Sequence, residues 1–247
     1  MVTINEVLPA NPARKGQVSA NTALYKATAA ILVAQFVVFM VTFGVLGNTI
    51  NWPASLQDPA SKVLPLIKEQ SGAVALGYFC YMLSALLLIP ASLMLRRLLS
   101  QRDTTLVTIM ATFGVIAGVL KIFGIARWLV LMPSLADTYL DPTASAATRD
   151  TVVVVYNAFN KYAGGIGESF GVMLFSGLWT LLVAIALIRS RQLPKWPGYF
   201  GLVAAMALLI GFLSLFGVSL GPVLIISGII WQLWLVTMAV VLFRQHN

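Results

Sequence analysis

Three ionisable side chains lie deep in apolar sequence: Lys121, Arg127 and Glu168. Lys161, Asn157 and Asn160 stand just upstream of the acid. A charge inside hydrocarbon costs a few kcal/mol, so such a group pairs, faces a cavity or reaches for the interface. Asn157, Lys161, Gly164 and Glu168 follow i, i+4, i+7, i+11 and share one predicted helical face. Two cations and one carboxylate favour an anion, or an anionic lipid headgroup, as ligand. The same residues also suit a structural ion pair that glues helices together. The set Lys121, Arg127, Asn157, Asn160, Lys161 and Glu168 therefore has two readings, a ligand pocket or packing glue.

Catalysis finds little support. His246 is the only histidine and stands next to the C-terminus, and Cys80 is the only cysteine. Metal and haem sites in helical bundles need clustered His, Cys or carboxylates, so no metal and no cofactor is expected. No P-loop, H-E-x-x-H or G-x-S-x-G occurs, and Glu168 is the only acid within a span, so no enzyme is predicted. Cys80 alone forms no intrachain disulfide and reads as a small core residue. Trp179, Trp231 and Trp234 lie mid-span and read as buried packing.

These groups need a frame to hold them, and that frame is six apolar stretches. With 59% hydrophobic and only 10% charged residues, the chain is far from the soluble norm of about one quarter charged. Crossing about 30 Å of hydrocarbon takes about 20 helical residues. Spans are predicted at 28–47, 72–95, 104–126, 166–188, 198–217 and 222–243. The fold class is all-α: a polytopic bundle of six transmembrane helices with short interfacial helices on the outer side. A polar tail, 1–27, precedes the domain at 28–243, and 244–247 form a second short tail.

The formal charge of +8 does not call for nucleic acid, because the basic residues sit at span ends. Arg14, Lys15, Lys26, Arg96, Arg97, Arg102, Arg189, Arg191, Lys195 and Arg244 fall on one side of the bilayer. Only Lys62, Lys68 and Arg149 fall in gaps on the other. Both termini are thus predicted to be cytoplasmic. Within the first outer loop, 59–69 reads as an amphipathic piece with Val63, Leu66 and Ile67 toward the bilayer. Trp52, Trp128 and Trp196 fall at predicted interfaces.

Helical rise sets the depths. Arg127 is about 35 Å and Lys121 about 25 Å beyond Thr104, and Glu168 is about 31 Å from Arg189. Glu168 falls between the two cations in height, which predicts an ion pair to one of them, tying span four to span three. Gly164, Gly167 and Gly171 form a small-residue stripe, and Gly114 and Gly118 a G-x-x-x-G on span three. Both predict close packing of spans three and four. The Gly164–Gly165 step either loosens helix four or admits another backbone.

The segments Asn51-Trp-Pro-Ala-Ser-Leu-Gln-Asp58, Ala75-Leu-Gly-Tyr78, Tyr156-Asn-Ala-Phe-Asn160-Lys-Tyr-Ala-Gly164-Gly-Ile-Gly-Glu168 and Leu193-Pro-Lys-Trp196-Pro-Gly carry a resemblance. The chain resembles an uncharacterised family of bacterial six-pass integral membrane proteins, a domain of unknown function. The resemblance implies a six-helix bundle in a bacterial cytoplasmic membrane, and it transfers no reaction to any residue. The expected partners are the lipid bilayer, an anionic small molecule or lipid headgroup, and a membrane-protein partner or second copy. The functional expectation is binding or transport through an outward-facing polar pocket between spans three and four. The alternative is a non-catalytic scaffold or subunit of a membrane complex.

Overall fold

The computed structural model describes residues 12–100, 104–221 and 223–245, and these are helical with no strand among them. Arg102, His246 and residues 1–11 of the expected tail lie outside the described residues. Eight α-helices follow one another: α1 Pro12–Ile50, α2 Ala60–Glu69, α3 Ser71–Leu99, α4 Thr104–Leu140, α5 Ala146–Gly164, α6 Ser176–Arg189, α7 Trp196–Gly211 and α8 Val223–Arg244. A π-helical segment, Gly165–Phe175, joins α5 to α6 in one unbroken rod. Helix α1 begins at Pro12, inside the stretch expected to be a tail.

Six of these rods are long and apolar enough to cross a membrane, with mean hydropathy of 2.0 to 2.5 in their most apolar windows. Only 28–50% of those windows is buried inside the protein. The rest is apolar surface such as Val37, Phe79, Leu86, Val119, Phe123 and Val130, which turns outward. So much outward apolar surface is stable only in lipid. Helices crossing hydrocarbon also satisfy their own backbone hydrogen bonds, which open strands there would not.

Each spanning helix packs on its chain neighbours: α1 on α3, α3 on α4, α4 on the π segment and α6, α6 on α7, and α7 on α8. Helix α8 packs back on α1, so the six close into a ring. One core fills the half of the ring near the basic turns, around Leu32, Leu88, Met110, Trp179, Leu208 and Trp234. The three mid-span tryptophans belong to it. Trp179 meets Trp234 edge-on at 5.7 Å, and the Trp231 indole donates to Thr180 Oγ1 at 2.8 Å.

The second core fills the other half and includes the α1–α3 connection, with Val63, Leu64 and Ile67 of α2. These three are 0, 0 and 2% exposed and join Trp128, Met132 and Tyr156. The amphipathic piece therefore faces protein rather than bilayer, because α4 and α5 extend beyond the hydrocarbon and offer it an apolar bed. Trp128 likewise leaves the interface: it is 2% exposed and stacks on Tyr78 at 4.8 Å with rings 5° from parallel. Trp196, by contrast, is 55% exposed at a helix end. Two surface ion pairs, Lys62–Asp58 at 2.8 Å and Lys68–Asp137 at 2.5 Å, add little to this cap, since exposed pairs are worth at most about 1 kcal/mol.

If α2 is a packed cap, Ile67→Ala is expected to cost about 2 kcal/mol or more. Leu86→Ala, on the lipid side, is expected to stay within about 0.5 kcal/mol. Melting of the two variants in the same detergent measures the contrast.

Candidate functional site

Between the two cores lies a layer where helix backbones come unusually close. A Cβ on Gly124 would stand 2.5 Å from the Cα of Gly167 and 2.9 Å from the Ala163 carbonyl oxygen. A Cβ on Gly171 would stand 2.9 Å from the backbone nitrogen of Lys121. Backbone against backbone leaves nothing to yield, so α4 and the π segment meet here only because both lack side chains. Gly167 and Gly171 thus serve the contact between spans three and four.

Gly114 and Gly118 bring in α3 as well. Added Cβ atoms there would reach Ser92 and Trp179, and Ile89 and the Ala85 carbonyl. Gly118 seats α4 on α3, whereas Gly114 lies between α3 and the fourth span, meeting Ser92 on one and Trp179 on the other. Gly124, three residues from both Lys121 and Arg127, makes the backbone contact with the π segment. Gly164 meets a side chain instead: a Cβ there would sit 3.1 Å from Arg127 Nη2.

That close approach brings Arg127 to Glu168. Arg127 is 6% exposed, and its Nη2 donates to Glu168 Oε1 at 3.0 Å and to Asn160 Oδ1 at 3.2 Å. Nη1 donates to the Gly124 carbonyl at 2.6 Å. Nε is buried without a partner. The Glu168 side chain is 42% exposed, against 4% for its arginine. Of the two pairings open in the sequence, the glutamate takes Arg127.

Lys121 is left with an aromatic face. It is 6% exposed, and its Nζ lies 4.3 Å from the centre of the Trp231 ring. Among the described residues it makes no ion pair. Desolvated cation–π contacts are worth about 2 kcal/mol, well short of a carboxylate's full neutralisation of the charge. Of the two buried cations, only Arg127 therefore has a carboxylate partner.

Both cations line a cavity of about 30 Å³, together with Trp52, Tyr78, Gly167 and Glu168. Two further polar atoms are buried in this lining without a partner: Trp52 Nε1 and Tyr78 Oη. With Arg127 Nε, three residues of the lining each bury a polar atom without a partner: two N–H donors and one amphoteric hydroxyl. Trp52 reaches the cavity because α1 ends at Ile50 and the next residue, Asn51, turns the chain back with a φ of 56°. Asparagine tolerates that left-handed geometry better than most residues. The following segment is then fastened over the cavity. Asn160 Nδ2 donates to the Leu56 carbonyl at 3.0 Å, and Tyr156 Oη to the Asp58 carbonyl at 3.2 Å.

The expected set thus divides. Arg127, Asn160, Glu168 and, through the cavity, Lys121 come together. Asn157 and Lys161 do not, since both are exposed. The packed face of α5 runs through Val152, Tyr156, Asn160 and Ala163 to Gly167, one residue away from the stripe drawn through Asn157. Trp52 and Tyr78 join the site without a sequence signal: Trp52 has the position of an interface anchor, and nothing in the periodicity of span two marks Tyr78.

The π segment begins beside the site. Its widened turn shows in Ser176, whose amide and Oγ both reach back five residues to the Gly171 carbonyl, the latter at 2.8 Å. Glycines at 164, 165, 167 and 171 weaken ordinary helix propensity here. π-Helical turns are rare and concentrate at functional sites.

Fold and site together define a polytopic helical membrane protein with a buried charged cluster at the crossing of spans three and four. The chain belongs to the family described as Domain of unknown function (DUF4386), which matches residues 27–240. No curated protein and no solved structure matches it.

Gly124→Ala is expected to lower the melting temperature sharply, whereas Gly165→Ala, where an added Cβ meets nothing within 4 Å, leaves it unchanged or higher. Glu168→Ala is expected to destabilise more than Glu168→Ala with Arg127→Ala, because the single change strands a buried cation. A double-mutant cycle should return a coupling of about 0.5–3 kcal/mol.

Proposed function

We propose that this is a binding or transport protein for a small anion, or for the anionic tip of a lipid headgroup, held between spans three and four. The observation that supports it is the imbalance at the site. Lys121 and Arg127 are buried, Glu168 is the only carboxylate among the described residues of the cavity lining, and three residues of that lining, Arg127, Trp52 and Tyr78, each bury a polar atom without a partner. In a low-dielectric interior each unmet donor costs about 1–3 kcal/mol, and an anion that accepts from several recovers that energy. The space admits only a few atoms, so the bound group is compact.

The resemblance to bacterial six-pass proteins implies a bacterial inner membrane, and the distribution of Lys and Arg over the chain supports both ends facing the cytoplasm. In that orientation the cavity lies toward the outer face, under the segment carrying Trp52 and Leu56. The π segment beside it supports a functional rather than a purely architectural reading.

One observation favours the second reading, a scaffold or complex subunit. Arg127 already donates to Gly124, Asn160 and Glu168, as a structural tie would. A thermal-shift series with formate, nitrate, acetate and phosphate separates the two. A binding protein is expected to gain about 2.7 kcal/mol at a hundred times the dissociation constant, with the gain lost in Lys121→Met. A flat response in the intact protein leaves the scaffold reading standing.

A further inference from the structure

A second cavity, of about 990 Å³, lies at the other end of the bundle, between the facing ends of α3 and α4 and the turn joining α6 to α7. Its floor is apolar: Leu98, Leu99, Val107 and Leu193 are buried there, at 7, 9, 1 and 5% exposure. Its rim is basic: Arg189, Arg191 and Lys195 line it and are exposed. Among the described residues no acid lines it. The turn at the rim is held by Ser190, whose Oγ accepts from the amides of Gln192 and Leu193 at 3.2 and 3.4 Å.

Its height is marked by two amphipathic rings. Trp196 and Tyr199, in the first turn of α7, are 55 and 56% exposed. Such rings collect at the level of lipid headgroups. A leucine floor under two or three cations at that level matches neither a bare ion nor a soluble polyanion. The floor asks for hydrocarbon and the rim asks for phosphate. Basic pockets between transmembrane helices at this level take anionic headgroups.

The geometry points to a binding site for one anionic phospholipid. Its phosphate sits between Arg191 and Lys195, and its acyl chains lie against Leu98, Leu99 and Leu193. This site shares no residue with the Glu168 cluster, and its test is independent of the reading given to that cluster.

The full-length protein, purified in a neutral detergent, is titrated with phosphatidylglycerol or phosphatidylcholine in mixed micelles and followed by thermal melting. Phosphatidylglycerol is expected to raise the midpoint saturably, and phosphatidylcholine not. Arg191→Gln with Lys195→Gln is expected to weaken the apparent affinity roughly 30-fold, at about 1 kcal/mol per basic residue. Lys26→Gln with Arg244→Gln removes the same charge from exposed positions at the same end but outside the groove, and should keep the wild-type response. Equal loss in both pairs would reduce the effect to diffuse surface charge and overturn the site. So would a full shift from glycerol 3-phosphate alone, which has a headgroup phosphate and no chains, or an equal response to both lipids.

Discussion

One electrostatic constraint organises the middle of this protein: hydrocarbon does not tolerate a lone charge, and two cations are buried beside a single carboxylate. Arg127 meets the demand by sharing its guanidinium among a carboxylate, an amide and a backbone carbonyl. Lys121 meets it only in part, on the face of Trp231. Everything near them serves that arrangement. The paired glycines bring the two backbones close enough for a side chain on one helix to reach the other. The tyrosine–tryptophan stack seals one wall, and the chain after Asn51 covers the top. Breaking such a buried pair on one side only is costly, because it leaves the other charge uncompensated.

The division of the interior into two cores follows from the same layer. Spans one to four contribute to both, while α7 and α8 pack only into the core near the basic turns. The other core depends instead on α2 and on the extensions of α4 and α5. That half is thus a smaller assembly of four spans capped by a loop, with its charged layer as a floor. The half near the basic turns is a full ring filled by large side chains, with the three tryptophans among them.

The spans were legible in the sequence because hydropathy over about 20 residues integrates many side chains, and no local exception erases the sum. The charged residues were legible for the opposite reason: each is conspicuous against an apolar background. What the sequence could not reveal was which way faces turn. The stripe through Asn157 and Lys161 keeps ideal helical spacing, yet the packed face passes through Tyr156 and Asn160. Spacing alone gives a set of equivalent stripes, and contacts with α2 and α4 choose among them. Gly114 and Gly118 carried the usual motif for helix approach, but a motif names no partner, and theirs include α3. Gly124 had no motif and makes the tightest backbone approach to the π segment. The amphipathic cap misled for a related reason: a face fit for the bilayer is equally fit for an apolar bed of protein.

The rod that carries Glu168 also holds, through Tyr156 and Asn160, the strip of chain roofing the cavity. Latch and counter-ion are mounted on one shaft. The roof and the charge balance of the chamber beneath it are therefore tied to the position of a single helix.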